Sequence, residues 1–340
     1  MWKYTLRRLL LMIPTLLGIT VVCFAIINLA PGSPLEQKLA QLKFGGQVSG
    51  SSSAGGDSLV SEEVIEALKV QYGFDKPMYM RYFIWLKNIV TLDFGDSFKY
   101  EMPVTDLIIE KLPVSLQFGI ASLILVYLIC IPLGIAKAVR NGGQFDMVSS
   151  VILMVLYSIP PLTLGILLRV YLAGGSFLDI FPLGEMYSDQ YFNLSFWGQV
   201  WDRAHHFVLP LICYVVNSFT VLTFLMKNSL LDEISLDYVR TARAKGLPER
   251  TVIYKHALRN ALIPILTGLG SFLTVFFAGS IIIEQMFSLD GMGLLSYTSI
   301  LARDYNVIMA LIFIQSVLAM VGRLISDLTY VFVDPRIDFQ

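Results

Sequence analysis

Apolar runs long enough to cross a bilayer alternate along this chain with segments of ordinary polarity. The hydrocarbon core of a membrane is about 30 Å thick and takes roughly 20 residues of helix. Six runs reach that length with almost no charge: Leu9–Ala30, Leu112–Ala136, Met147–Ala173, His206–Met226, Ala261–Ile283 and Asn306–Ser326. Only Arg169 and Arg323 are charged within them. The pattern predicts an all-α integral membrane protein with six transmembrane helices. Prolines inside the runs (Pro14, Pro132, Pro160, Pro161, Pro210 and Pro264) free backbone carbonyls and predict kinks.

Composition agrees and narrows the function classes. The chain is 55% hydrophobic and 15% charged, against about 25% charged for soluble domains. The shortfall lies in the six runs, because the rest of the chain approaches the soluble value. With 25 Lys and Arg against 26 Asp and Glu the net charge is −1, so no global basic field exists to collect nucleic acid. Cys23, Cys130 and Cys213 each sit in an apolar run without metal-ligand spacing and read as small buried hydrophobes.

The first run follows Lys3, Arg7 and Arg8, as a signal peptide would. It is longer than a signal core, and Asn28-Leu29-Ala30 lacks the small residue wanted three positions before a cut, so a retained anchor is expected. Positive residues mark the cytoplasmic side. They concentrate at the amino end, after the second run (Lys137, Arg140) and between the fourth and fifth, where Lys227, Arg240, Arg243, Lys245, Arg250, Lys255 and Arg259 lie. The opposite short loops hold Arg203 and Arg303 alongside Asp179, Glu185, Asp189, Asp202, Asp290 and Asp304. Both termini are therefore expected in the cytoplasm. The expected organisation is a cytoplasmic amino end and first span (1–30), an outer segment (31–111) and a body of five spans (112–340). The outer segment divides around a Gly/Ser-rich linker at 45–58, and its aromatic stretch Tyr79–Trp85 suits the headgroup interface.

Residues 227–260 are the most informative soluble stretch. Helix formers run to Lys245, Gly246 suits a left-handed stop and Pro248 suits the start of a second helix, which predicts a protruding hairpin. Ala242 and Ala244 permit close approach, while Arg240, Arg243 and Lys245 offer charged bonds to a partner's acidic groups. The plain alternative is a basic loop lying on anionic lipid.

This stretch resembles the coupling loop of ABC importer permeases of the peptide and nickel group, through Tyr238–Gly246 and His256–Ala261. The general importer pattern has an acidic residue where this chain has Arg240, so an acidic contact does not carry over. The resemblance extends through Leu29–Pro34, Tyr72–Pro77, Asp93–Ser97 and Asp334–Asp338. Ala173–Ser176, Phe181–Leu183, Lys227–Ser229 and Phe287–Gly293 are similar to the Yej-type subgroup, whose members take up oligopeptides and microcin C.

The resemblance implies a type I importer (MetI-like) permease fold with a long periplasmic insertion between the first two helices, in a bacterial inner membrane. It implies a heterodimer with a second permease subunit, two cytoplasmic ATPases and a periplasmic peptide-binding protein, and transport by alternating access. ATP and Mg would belong to the ATPases, and this chain has no Gly-x-x-x-x-Gly-Lys-Ser/Thr loop of its own. The implied coupling residues are Arg240, Thr241, Ala242, Arg243, Ala244, Lys245 and Gly246. Permeases for dipeptides, glutathione or nickel chelates are the neighbouring cargo classes.

Residues that would contact cargo are less marked. Charged groups in spans are costly and often functional, which singles out Arg169 and Arg323, with Glu284 at a span edge. Arg169 and Glu284 are candidates for the translocation pathway. Arg323 stands four residues before Asp327, the spacing of a helical ion pair. An intramembrane enzyme would need paired Asp, a Ser dyad or a zinc-type His motif within the spans, and none is present. A receptor or scaffold that binds ligand through 31–111 is the remaining alternative.

Overall fold

The computed structural model describes residues 2–29, 76–174, 177–271 and 277–333. The Gly/Ser-rich linker, the rest of 31–75 and the carboxy-terminal Asp334–Asp338 motif lie outside the described residues. Among those described, every extended element is helical, apart from isolated bridges between Asp96 and Pro103 and between Ala173 and Phe181.

The helices are α1 Trp2–Leu29, α2 Met78–Val90, α3 Val104–Val139, α4 Gln144–Ser158, α5 Pro161–Leu172, α6 Phe196–Ile234 and α7 Asp237–Ala244. Short turns at Glu249–Thr251, Val252–Ala257 (a π turn), Leu258–Ala261 and Ile263–Thr267 follow. The chain continues through α8 Ile281–Met286, α9 Met292–Leu301 and α10 Tyr305–Val333. Among the described residues four helices are long and apolar enough to cross a membrane, or five if α4 and α5, bent by 92°, count as one span.

These helices contain the second, fourth and sixth apolar runs and the described part of the first, 9–29. The third is broken at Ile159-Pro160, because proline disfavours helical backbone in the residue before it and Pro161 starts the next helix at its first position. The fifth run, Ala261–Ile283, is not one helix among the described residues: it comprises short turns, a 3₁₀ segment at Gly268–Ser271 and an extended approach to α8. At 1.5 Å per residue α3 and α6 are about 54 and 58 Å long. Both overshoot the hydrocarbon core, so their ends form rigid supports beyond it.

The chain divides into two compact units, one of residues 1–8, 111–295 and 318–340, the other of 9–110 and 296–317. In the second, Phe24 of α1 packs edge-on against Tyr82 and beside Trp85, and Thr20 Oγ1 hydrogen-bonds the Tyr82 hydroxyl at 3.0 Å. The aromatic stretch therefore has a protein-facing side, while Tyr79 and Phe83 of the same helix remain exposed. The Asp93–Ser97 motif forms a turn around a buried carboxylate. Ser97 Oγ donates to Asp304 at 2.5 Å, the Lys99 amide donates to the same oxygen at 3.1 Å, and Asn306 donates to the Asp96 carbonyl. Asp304, expected as an ordinary charge in an outer loop, has no exposed surface.

The first unit contains the cores that seat the hairpin and the Glu284 region. One gathers Ile135 and Ala138 of α3, Met226 and Leu230 of α6, and Val239 and Ala242 of α7 with Val252, Ile253 and Ala257. Another gathers Phe118, Leu209, Cys213, Ile283, Phe287 and Leu289, where Phe118 stacks on Phe207 at 3.9 Å. Outward faces of α4 and α5 stay apolar, with Met147, Val151, Val155, Ile166 and Val170 exposed. Such a surface fits lipid or another subunit.

Candidate functional site

The basic hairpin is built from the end of α6 outward. Ser235 closes α6 by donating from its hydroxyl and its amide to the Asp232 carbonyl. The chain turns at Leu236 and enters α7 with Asp237 in its first turn, where a carboxylate complements the helix dipole. Eight residues are too few for a helix to persist unaided. What holds α7 is the pair Val239 and Ala242, three apart on one face and both buried in the core beneath.

α7 ends as the sequence predicts. Lys245 caps it, Gly246 adopts φ +77° and donates its amide to the Arg243 carbonyl at 2.9 Å, and the Pro248 carbonyl accepts from Thr251 and Val252. The left-handed value is the one a side chain resists. A Cβ added to Gly246 would meet no atom within 4 Å, so the requirement for glycine is conformational.

The charges divide into two groups. Arg243 crosses the turn to Glu249, with Nη2 to Oε1 at 2.6 Å and Nε to Oε2 at 3.1 Å. This pairing raises the Arg243 pKa and holds the Glu249 carboxyl below its ordinary value. Arg240 reaches only Asp237, at 3.3 Å and in the open. Tyr238 donates to Glu233 and accepts from Asn260 Nδ2 at 3.2 Å. Burial and the neighbouring Glu233 carboxylate push the Tyr238 phenol up to about 12.

Of the seven residues expected to couple, Arg240, Thr241, Arg243, Ala244, Lys245 and Gly246 are exposed. Ala242 is not: it is buried toward the core, so it seats the helix and offers no surface for close approach. Leu236, Leu247 and Tyr254 add exposed apolar surface to the hairpin. Sequence reasoning passed over them, although large apolar residues outside every span were the available signal.

A second constellation lies at the foot of the hairpin. Lys137 of α3 has no exposed surface and donates to the Asp146 carbonyl, Ser149 Oγ and Ser150 Oγ at 2.7–2.9 Å. Its Nζ is also 3.1 Å from Asp146 Oδ1. Lys227 of α6 takes both Asp146 oxygens at 2.7–2.8 Å, and the Gly142 amide donates to Oδ2. One carboxylate thus joins α3, α4 and α6. The sequence reading counted Lys137 only as a marker of sidedness, Lys227 as that and as part of a subgroup motif, and gave Asp146 no role.

Glu284 and Arg169 lie apart from the hairpin residues. Glu284 has no exposed surface. Its Oε1 accepts from Ser115 Oγ at 2.8 Å and the Ser280 amide at 3.2 Å, and its Oε2 from the Leu294 amide at 2.8 Å. A Cβ on Gly291 would come within 2.7 Å of Ser115 Oγ and the carboxylate, so the loop closes on the side chain. Arg169 donates to the Met286 carbonyl at the end of α8. Arg323 is exposed, and Asp327, its expected partner, bonds Arg8 at 3.0 Å. Among the described residues no three His, Cys, Asp or Glu side chains gather as a metal site.

Comparison with known proteins identifies the family. A family model for the binding-protein-dependent transport system inner membrane component matches residues 130–339. The peptidoglycan transport system permease protein YejB of Agrobacterium fabrum is 45% identical over 360 residues, covering all of this chain and 99% of that protein. The inner membrane ABC transporter permease protein YejB of Escherichia coli O157:H7 is 41% identical, and the oligopeptide transport system permease protein AppB of Bacillus subtilis 36% identical, each over the full length of both chains. Proteins of this family act in general with ATPase subunits, a substrate-binding protein and a second permease. This chain belongs to the family of binding-protein-dependent transport system inner membrane components, and is a membrane permease subunit, not itself an enzyme.

Proposed function

We propose that this chain is one of two permease subunits of an ATP-driven importer of oligopeptides, working by alternating access in the bacterial inner membrane. The observation that carries the cargo class is full-length similarity to proteins named for peptidoglycan and oligopeptide transport. Six spans with both termini cytoplasmic would place the hairpin on the ATPase side, the broken fifth run counting as one crossing. A periplasmic peptide-binding protein would deliver cargo from the other side. Microcin C-like conjugates and peptidoglycan-derived peptides are the cargo to test beside plain oligopeptides; dipeptides, glutathione and nickel chelates are the alternative.

In this reading Arg240, Thr241, Ala244, Lys245 and Gly246 present the coupling surface, and Val239 and Ala242 transmit its movement into α3 and α6 through their shared core. Arg243 shapes the turn through Glu249. Arg169 and Glu284 serve better as positioning groups than as cargo contacts, because one caps α8 and the other is enclosed.

The test is reconstitution with the second permease, the ATPases and the binding protein. ATPase stimulation by peptide-loaded binding protein and uptake of tri- and longer peptides are expected. Recovery of this chain without ATPases, or uptake confined to nickel chelates, would overturn the proposal.

A further inference from the structure

One cavity of the first unit is not occupied by any role assigned so far. It holds about 600 Å³ between α3, the end of α4, α6 and the broken fifth run, within the range of about 300–1,000 Å³ for small-molecule sites. Tyr157 of α4, Asn217, Ser218 and Val221 of α6, and Pro264 and Ile265 of the fifth run are among its lining residues. Asn217 lies at the middle of the apolar run 206–226, so the cavity is at membrane depth.

Three features separate it from an ordinary lipid-facing groove. Its wall is interrupted backbone: α4 stops beside it at Ile159-Pro160, and the fifth run is broken into short turns at Pro264. Irregular backbone at membrane depth persists only where protein or a water-filled cavity surrounds it, and broken helices recur at the substrate sites of transporters. The freed carbonyl of Ile265 is accounted for, since the Tyr127 hydroxyl donates to it at 3.0 Å. Second, the carboxamide oxygen of Asn217 is buried without a hydrogen-bond partner among the described residues. An unpaired amide oxygen away from water is costly, and rotation of the carboxamide, which lines the cavity, would turn that oxygen toward an occupant. Third, the lining is uncharged, made of hydroxyl, carboxamide and apolar groups. Such a wall does not select among charged side chains but matches the alternating N–H and C=O of a peptide main chain.

We infer that this cavity is this chain's share of the translocation pathway, that Asn217 and Ser218 hydrogen-bond the main chain of the passing peptide, and that Tyr157 and Val221 contact its side chains. The inference rests on the peptide-import reading and assigns that reading's missing contacts.

The test uses the complete transporter in proteoliposomes. Ser218→Trp, which places an indole in the cavity, is expected to cut peptide uptake about tenfold or more while the complex is recovered at wild-type yield. Asn217→Leu is expected to lower uptake of all peptides alike, because it removes a main-chain contact. Should the tryptophan variant not assemble, Tyr157→p-benzoylphenylalanine provides a second measurement: photo-crosslinking to labelled peptide during turnover supports the assignment. Crosslinks to the second permease alone, or unchanged uptake in both substitutions, overturn it. Failure of wild-type transporter to import peptide would instead sink the cargo reading, so the two failures are distinguishable.

Discussion

Two groups of charges occupy neighbouring parts of the first unit and are built in opposite ways. On the hairpin, Arg240 and Lys245 stand in solvent, and Arg243 shares its charge with Glu249 in a pair that is also open to water. At its foot, Lys137, Asp146 and Lys227 are almost wholly enclosed, and Asp146 answers two ammonium groups and a backbone amide. Exposed charges cost little to display and remain available to a partner. Enclosed charges are kept only when every one is answered, and then they restrict how helices can move relative to one another. The contrast leaves the surface charges available to a partner and uses the buried ones to join three helices; under the coupling proposal, force on α7 would reach α3, α4 and α6 together.

The most direct way to break this contrast is to remove the central carboxylate. Asp146→Ala leaves Lys137 and Lys227 facing each other without an anion, and breaking such a buried pair costs about 3–5 kcal/mol. A large drop in thermal stability of the purified complex is the expected outcome; wild-type stability would show that water already reaches the cluster. Glu284 extends the comparison to an enclosed carboxylate without a cationic partner among the described residues. Glu284→Ala strands Ser115 and the Ser280 and Leu294 amides, at about 1–3 kcal/mol for each buried group left unsatisfied, and partial recovery in Glu284→Gln, measured as melting temperature, would confirm that hydrogen bonding is what counts.

Gly246→Val has a smaller expected effect on stability and a larger one on function. Forcing a side chain into the left-handed region costs roughly 1–2 kcal/mol, and the strain falls on the turn that would present the proposed coupling surface. Loss of uptake with normal membrane insertion is expected, and unaltered transport would remove the hairpin from the coupling path. Arg243→Ala has the smallest expected effect, because an exposed pair is worth about 0.2–1 kcal/mol. Its pH dependence has a definite sign. Glu249 is held below its ordinary pKa of 4.5 in the folded protein, so the contribution is fully present above that value and is lost as pH falls through the depressed one. A difference in stability between wild type and Arg243→Ala that persists unchanged well below pH 4 would contradict the pairing.

Much of this arrangement was legible in the chain. Four of six apolar runs lie within single helices, because about 20 uncharged apolar residues have few alternatives to helix in a membrane. The hairpin was legible for a local reason: glycine at 246 and proline at 248 act on their own backbone, whatever lies nearby. The fifth run shows where hydropathy stops being informative. It specifies an apolar environment, and the short turns of its described part satisfy that as well as a continuous span does. Ala242 shows the same limit at one residue, since small size signals close packing without saying which neighbour is close.

What the sequence by itself determined is the class of environment for each segment, the positions of the turns and membership of a permease family. Those properties follow from composition, backbone restriction and motif, all of which are local. Only the tertiary structure decided which charges are enclosed. Lys137, Asp146 and Lys227 come from three helices, Glu284 meets Ser115 across 169 positions of chain, and Asp304 meets Ser97 across 207. The protonation, strength and availability of a charge depend on how far solvent is excluded around it, and that exclusion exists only once the helices have packed.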